Sequence, residues 1–199
     1  MAFLYMLKYI KEGVYMNNQG LIRQVELNDA KDILDIYAPY VKNTIISFEL
    51  EVPSLEDFTS RIVSISSTYP YLVYVIDNKI VGYAYATKHQ DRAAYQYNVE
   101  VSIYVDENYH GKGIAIDLYT KLFDLLKQLG YINVYARYTG SNIQSQKFHE
   151  KFGFSKVGTM HKSGFKFDQW HDVTWLEKSL SNHLDKPNLP KSIKSINHK

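Results

Sequence analysis

Between Val99 and Leu129 a β-branched and aromatic run, Val99 to Val105, passes through Asn108-Tyr109-His110-Gly111-Lys112-Gly113 into an apolar pattern at helical spacing: Ala115, Leu118, Tyr119, Leu122, Leu126 and Leu129. A strand, a glycine loop and an amphipathic helix in immediate succession have one chemical use and one plain one. The helix start offers unpaired backbone N–H groups and a partial positive charge, and Gly111 and Gly113 would let a phosphate or pyrophosphate approach that backbone closely. The plain reading is a glycine-rich turn before a helix, and on spacing alone the two weigh equally. A Walker loop would need Gly-Lys-Ser/Thr, whereas Lys112 is followed by Gly113. A Rossmann fingerprint needs three spaced glycines, and only two stand here.

The flanking chain completes an α/β pattern. Leu21–Val25 reads as a strand, and Ala30, Ile33, Leu34 and Tyr37 as a helix expected to end or kink at Pro39. Ser54 with Asp57 resembles a capping box for a second helix through Phe58, Ile62 and Ile65. Tyr71–Ile76 and Ile80–Thr87 form a hairpin across Asp77-Asn78-Lys79, and a long strand is expected from about Tyr95 to Val105. Past Gly130, Tyr131–Tyr138 is a strand, Asn142–Phe152 a helix, and Phe154–Met160 and Trp170–Leu180 two last strands. The expected architecture is a central mixed sheet of about seven strands flanked by about four helices. Residues 21–180 form one domain, preceded by an extension, 1–20, and followed by a basic, flexible tail, 181–199.

Composition removes several function classes. The net charge is +2, which gives no footprint for nucleic acid. There are no cysteines, so disulfides, thiolate metal sites and a catalytic thiol are excluded. No histidine pair has metal-ligand spacing, and no metal site is expected. The apolar run Phe3–Leu7 is too short to span a bilayer and lacks the order of a signal peptide, so the extension reads as a short helix, or as start-site uncertainty with Met16 as second candidate. A cytoplasmic protein without membrane contact is expected.

At this point the motifs become specific. His110-Gly111-Lys112-Gly113-Ile114-Ala115 resembles the acetyl-CoA pyrophosphate loop, Arg/Gln-x-x-Gly-x-Gly/Ala, of the GCN5-related N-acetyltransferases (GNAT). His110 departs from the usual Arg/Gln of that pattern. Asn142-Ile143-Gln144-Ser145 resembles the family's Asn-x-x-Ser element, and Lys147 to Phe154 its helix ending in Gly-Phe. Ala94-Tyr95, Val99-Glu100, Tyr104-Val105, Gly164-Phe165-Lys166 and Trp170-His171-Asp172-Val173 are similar to the phosphinothricin and methionine sulfoximine acetyltransferase branch. The similarity runs from about Ile22 to Leu180.

The resemblance implies roles. Ile103, Tyr104 and Val105 would bind the pantetheine arm of acetyl-CoA through their backbone. Gly111, Lys112, Gly113, Ile114, Ala115 and Ile116 would hold its pyrophosphate, with Asn142 and Ser145 beside the cofactor. Glu100 matches the general base, and His149 a histidine near the reaction centre. Phe48 and Glu49 fall on the first substrate loop, and Arg92, Tyr95 and Tyr97 on the second. Gln90 stands where these enzymes often carry a second cation, which leaves methionine sulfoximine or sulfone at least as open as the doubly anionic phosphinothricin. A homodimer is also implied.

Elementary chemistry asks for the base independently: an alkyl amine is mostly ammonium at neutral pH, and only the neutral form attacks a thioester. Burial would raise the basicity of Glu100, whose plain reading is an ion-paired strand carboxylate. His149 has a plain reading as a satisfied core side chain, and Tyr138 and His149 stand as candidates for the leaving-group acid. The implied reaction is direct transfer to the amine of a small amino-acid-like molecule. A protein or peptide acceptor, and an acyl-CoA-binding module without turnover, are the alternatives.

Overall fold

In the computed structural model, which describes residues 15–16, 20–140 and 142–196, the chain runs β1 (Tyr15–Met16), β2 (Leu21–Gln24), α1 (Ala30–Asn43), α2 (Leu55–Ser66), β3 (Tyr71–Ile76), β4 (Lys79–Lys88), β5 (Asn98–Val105), α3 (Ile114–Leu129), β6 (Asn133–Thr139), α4 (Ile143–Lys151), β7 (Ser155–Lys166) and β8 (Gln169–Ser179). From β2 onward this is the order expected from the sequence. The strands form one sheet in the order β1-β2-β3-β4-β5-β6-β8-β7. β5 and β6 are parallel, and the other neighbours are antiparallel. A parallel pair needs a crossover, and α3 supplies it.

Strand alternation divides the core between the two faces. On one face Leu118, Leu122 and Leu126 of α3 are fully buried against Val99, Val101, Val134 and Ala136. Each such leucine stabilises the fold by about 2 kcal/mol. On the other face Ile33 and Val41 of α1 and Phe58 and Ile62 of α2 pack on Val73 and Tyr83. Glu100, Ser102 and Tyr104 alternate onto this second face.

The feature that positions the site is a parting of strands. β5 pairs with β6 only through Asn98↔Asn133, Val99↔Val134 and Glu100↔Tyr135. β5 then stays on β4 as far as Val105↔Gly82, while β6 stays on β8 as far as Thr139↔Val173. Past Glu100 the two strands separate and leave a slot in the sheet.

Several expectations are corrected. α1 passes through Pro39 and ends at Asn43. Proline there costs the helix the N–H that would bond Asp35 O and crowds that carbonyl, while buried Val41 and the Thr44 hydroxyl, which donates to Tyr40 O (2.6 Å), hold the last turn. β5 starts at Asn98, because Ala93–Tyr95 form a 3₁₀ turn. β7 runs past the expected end at Met160 to Lys166, β8 lies one residue earlier than expected at Gln169–Ser179, and the two meet at Phe167-Asp168, both at positive φ (51° and 57°). That geometry suits a tight hairpin, but Phe-Asp lacks the usual Asn-Gly signal. The expected helical extension falls on residues 1–20, of which 1–14 and 17–19 lie outside the described residues. No helix among the described residues is long and apolar enough to cross a membrane.

The segment after β8, expected as a loose tail, is laid across the domain. The Lys191 N–H donates to Leu129 O (2.8 Å) and the Ile193 N–H to Thr68 O (2.9 Å). Ile193 is 3% exposed and joins the α3-side core. Lysines, serines and prolines surround it, so a compositional reading passes over this anchor. Ile193→Ala should lower the unfolding free energy by about 2 kcal/mol or more, read from a denaturant midpoint; an unchanged midpoint would show that the segment is not docked.

Candidate functional site

The slot between β5 and β6 exposes backbone. The Asp106 N–H donates to Val81 O (2.9 Å). Antiparallel alternation then gives Tyr104, Ser102 and Glu100 to β4 and turns the N–H and C=O of Val101, Ile103 and Val105 toward the slot. Of the three residues expected to offer backbone to the pantetheine arm, Ile103 and Val105 turn theirs toward the slot. Tyr104 does not: its polar backbone bonds β4, and its ring stacks on Tyr83 at 5.3 Å on the α1 side. Val105 O already accepts from the Tyr40 hydroxyl, and His110 Nε2 lies 3.1 Å from both groups. The departure from Arg/Gln at His110 therefore closes the end of the strand.

Beyond the slot lies the glycine cradle. Gly111 (φ 75°) and Gly113 (φ 83°) are left-handed, and a Cβ built on either meets nothing within 4 Å. The space over both is open, as a cofactor approaching the backbone requires. Gly113 caps α3, whose first intrahelical bond runs from the Asp117 N–H to Gly113 O (3.1 Å). The N–H groups of Ile114, Ala115 and Ile116 are thus left at the positive end of the helix, where they suit a pyrophosphate. Lys112 is exposed at the loop tip, its ammonium 4.3 Å from the Tyr109 ring.

A cavity of about 560 Å³ joins slot and cradle, lined by Ile103, Val105, Gly111, Gly113 and Ile114 to Ile116, and on the α4 side by Asn142, Ser145, Phe148 and His149. Asn142 Oδ1 caps α4 by accepting from the Ser145 N–H (3.0 Å), which leaves its amide NH₂ for a ligand. A larger cavity of about 640 Å³ adjoins it past Tyr40 and His110. Its lining carries Asp32, Asp35, Asp106 and Glu107, the wrong charge for a phosphate group. Among the described residues no group of three or more His, Asp or Glu is placed to hold a metal ion.

Glu100 occupies the last paired position of β5, on the opposite face from the cradle. Its Oε1 lies 3.2 Å from His89 Nδ1 and its Oε2 3.1 Å from Arg137 Nη2. His89 stacks on Tyr135 at 4.1 Å, and the Arg137 guanidinium lies over the Trp175 ring at 5.1 Å. Glu100 is thus largely buried, as expected, and also has the ion pair of its plain reading. Neither His89 nor Arg137 stands out in the sequence; the available signal for Arg137 is its alternation with Tyr135 onto the face of Glu100.

His149 is not brought to Glu100. It lies on the α3 face, 5% exposed. Its Nδ1 bonds Ser145 O (2.8 Å) and its Nε2 the Tyr119 hydroxyl (3.2 Å), so both ring nitrogens have protein partners. Burial lowers its pKa and raises that of Tyr119, which keeps the imidazole neutral and the phenol protonated. This geometry makes His149 a wall of the cavity that joins slot and cradle. Tyr138 also packs against the α3-side core.

The first substrate loop is pinned from below. Phe48 lies over Gly164, where a Cβ would come within 2.1 Å of its ring. Lys166, 4% exposed, donates to Val41 O (2.6 Å) and Ser47 O (2.8 Å). Glu49 is taken by Arg61 Nη1 (2.6 Å) and the Tyr37 hydroxyl (3.0 Å). In the second loop Arg92 and Tyr95 are exposed, with the Tyr95 ring 6.3 Å from His89. Tyr97 turns away and donates to Pro187 O (3.4 Å).

Gly113→Val would force a β-branched residue to φ 83° and fill the cradle. Calorimetric titration should show coenzyme A affinity reduced by roughly tenfold or more; unchanged affinity would remove the cradle from the binding site.

Comparison with known proteins agrees with this geometry. A family profile described as acetyltransferase (GNAT) domain matches residues 22–175. The phosphinothricin N-acetyltransferase of Streptomyces coelicolor is 34% identical over 156 residues, 76% of this chain and 91% of that protein. The L-methionine sulfoximine/L-methionine sulfone acetyltransferase of Pseudomonas aeruginosa is 29% identical over 164 residues, 80% of this chain and 94% of that one. The crystal structure of a GNAT superfamily phosphinothricin acetyltransferase from Sinorhizobium meliloti, in complex with AcCoA, superposes with a TM-score of 0.83 at 29% identity, over 91% of this chain and 100% of the other. With the parted strands, the glycine cradle and a match across most of its length, the chain belongs to the GNAT family of acetyltransferases.

Proposed function

We propose that the chain transfers the acetyl group of acetyl-CoA to the primary amine of a small amino-acid-like acceptor of the phosphinothricin or methionine sulfoximine/sulfone type. The observation that carries this reading is the position of Glu100, at the point where β5 and β6 part and on the face opposite the cradle. Donor and acceptor can then enter from opposite faces and meet in the slot.

Acetyl-CoA supplies an acetyl group activated as a thioester. The chain's own residues do the rest. The glycine cradle and the first N–H groups of α3 hold the diphosphate, and the slot-facing backbone of Ile103 and Val105 orients the arm. A strand N–H in the slot polarises the acetyl carbonyl. Glu100 takes one proton from the bound ammonium, the freed nitrogen forms the new C–N bond as the C–S bond breaks, and the second proton that the nitrogen sheds passes to the departing sulfur. The products are the N-acetylated acceptor and the free thiol of coenzyme A. No acyl-enzyme is required.

The acceptor class is supported by the small, aromatic-lined face around Glu100, formed by Tyr135, Trp175, His89 and Tyr95. It is supported also by the relatives named above. A homodimer belongs to the same reading, and the exposed Phe165, Phe167 and Trp170 at the β7–β8 tip would give it an apolar surface.

Glu100→Gln should lower kcat by about a hundredfold or more, while the Kd for acetyl-CoA changes little, since Glu100 lies outside the cradle. Wild-type turnover from this variant across the pH range would remove Glu100 as base.

A further inference from the structure

The acceptor face holds a cation that no expected role uses. Arg137 lies on β6, past Tyr135, the last residue paired with β5, so it overhangs the slot. One donor, Nη2, meets Glu100 Oε2 at 3.1 Å, and the guanidinium rests on Trp175. The side chain is 59% exposed, and a guanidinium has five N–H donors in a fixed fork. Most of that fork is therefore open to solvent beside Glu100, while Nη2 and the guanidinium plane are held.

The other cations near the face are committed or distant from the base. Arg61 is paired with Glu49, and Lys166 is spent on two backbone carbonyls. Arg92 sits exposed on its loop, with no ion pair to Glu100. Arg137 alone among the described Arg and Lys residues forms an ion pair with the base.

Resting on the acetyl-transfer reading above, we propose that Arg137 binds the α-carboxylate of the acceptor while Glu100 receives its amine, which makes the preferred acceptor a free α-amino acid and not a simple amine. In an α-amino acid the nitrogen and the nearer carboxylate oxygen are about 3 Å apart by covalent geometry. That spacing matches the 3.1 Å between Glu100 Oε2 and Arg137 Nη2. The zwitterion can lie antiparallel to the protein's own ion pair, ammonium to carboxylate and carboxylate to guanidinium. Arginine suits this task because its fork offers a carboxylate two parallel bonds. The same contact fixes which hydrogen-bearing nitrogen stands over the slot, so binding and orientation come from one residue.

The test is steady-state kinetics of the wild type, Arg137→Gln and Arg137→Lys with methionine sulfoximine, methionine sulfone and phosphinothricin, each beside its α-carboxamide. The wild type should prefer the acids. In Arg137→Gln the acid should lose about tenfold or more in kcat/KM relative to its carboxamide, mostly through KM. Arg137→Lys should restore part of that preference. An equal loss for acid and carboxamide would overturn the proposal and make Arg137 a positioning residue for Glu100, as would a preference that survives in Arg137→Gln. If the wild type acetylates none of these acceptors, the acetyl-transfer reading fails first and the proposal falls with it. Thermal unfolding of each variant separates these outcomes from misfolding.

Discussion

β5 and β6 lie side by side at Asn98, Val99 and Glu100, opposite Asn133, Val134 and Tyr135, and their pairing runs no further. Each strand is held on its far side, β5 by β4 and β6 by β8, so neither can close the gap. The slot is thus maintained by two antiparallel ladders and by the α3 core beneath it. Everything functional follows from that geometry. The backbone of Ile103 and the N–H of Val105 face the slot because no strand lies opposite, while Val105 O is taken by Tyr40, and Glu100 stands at the vertex because it is the last residue paired with β6.

The cradle and the acceptor face solve opposite electrostatic problems. At the cradle, glycines at positive φ and the start of α3 would present fixed N–H dipoles to a polyanion without spending a side chain. On the proposed acceptor face the charged groups are side chains, and each is steadied by a ring or a backbone group: His89 on Tyr135, Arg137 on Trp175, Lys166 on the carbonyls of Val41 and Ser47. The sheet keeps the two environments apart except at the slot. His149, which the resemblance puts near the reaction centre, lies on the α3 side of the sheet, where burial favours its neutral form and both its nitrogens are used.

Much of this was legible in the sequence because local patterns encode it. The glycine loop, the helix after it, the capping Asn142 and the alternation of β5 are all set by residues close in the chain. What escaped depends on register. Tyr104 is a neighbour of the slot in sequence but donates its backbone to β4. Tyr97 lies next to the acceptor loop yet turns to Pro187. His89 and Arg137 acquire their meaning only when Glu100 pairs with Thr87 and Tyr135. The docked Ile193 and the hairpin turn at Phe167-Asp168 were hidden for another reason: their residue types argue against the structure that tertiary packing imposes.

The central claim is that a thioester held in the cradle meets an amine beside Glu100 through the slot. Its most direct test is the release of free thiol from acetyl-CoA by the purified chain, with amino acid analogues, polyamines and a short peptide as acceptors. Saturable release with an amino acid analogue is the predicted result. Tight binding of acetyl-CoA with no release for any amine would contradict it and leave a cofactor-binding module; release with the peptide alone would contradict the small-molecule acceptor.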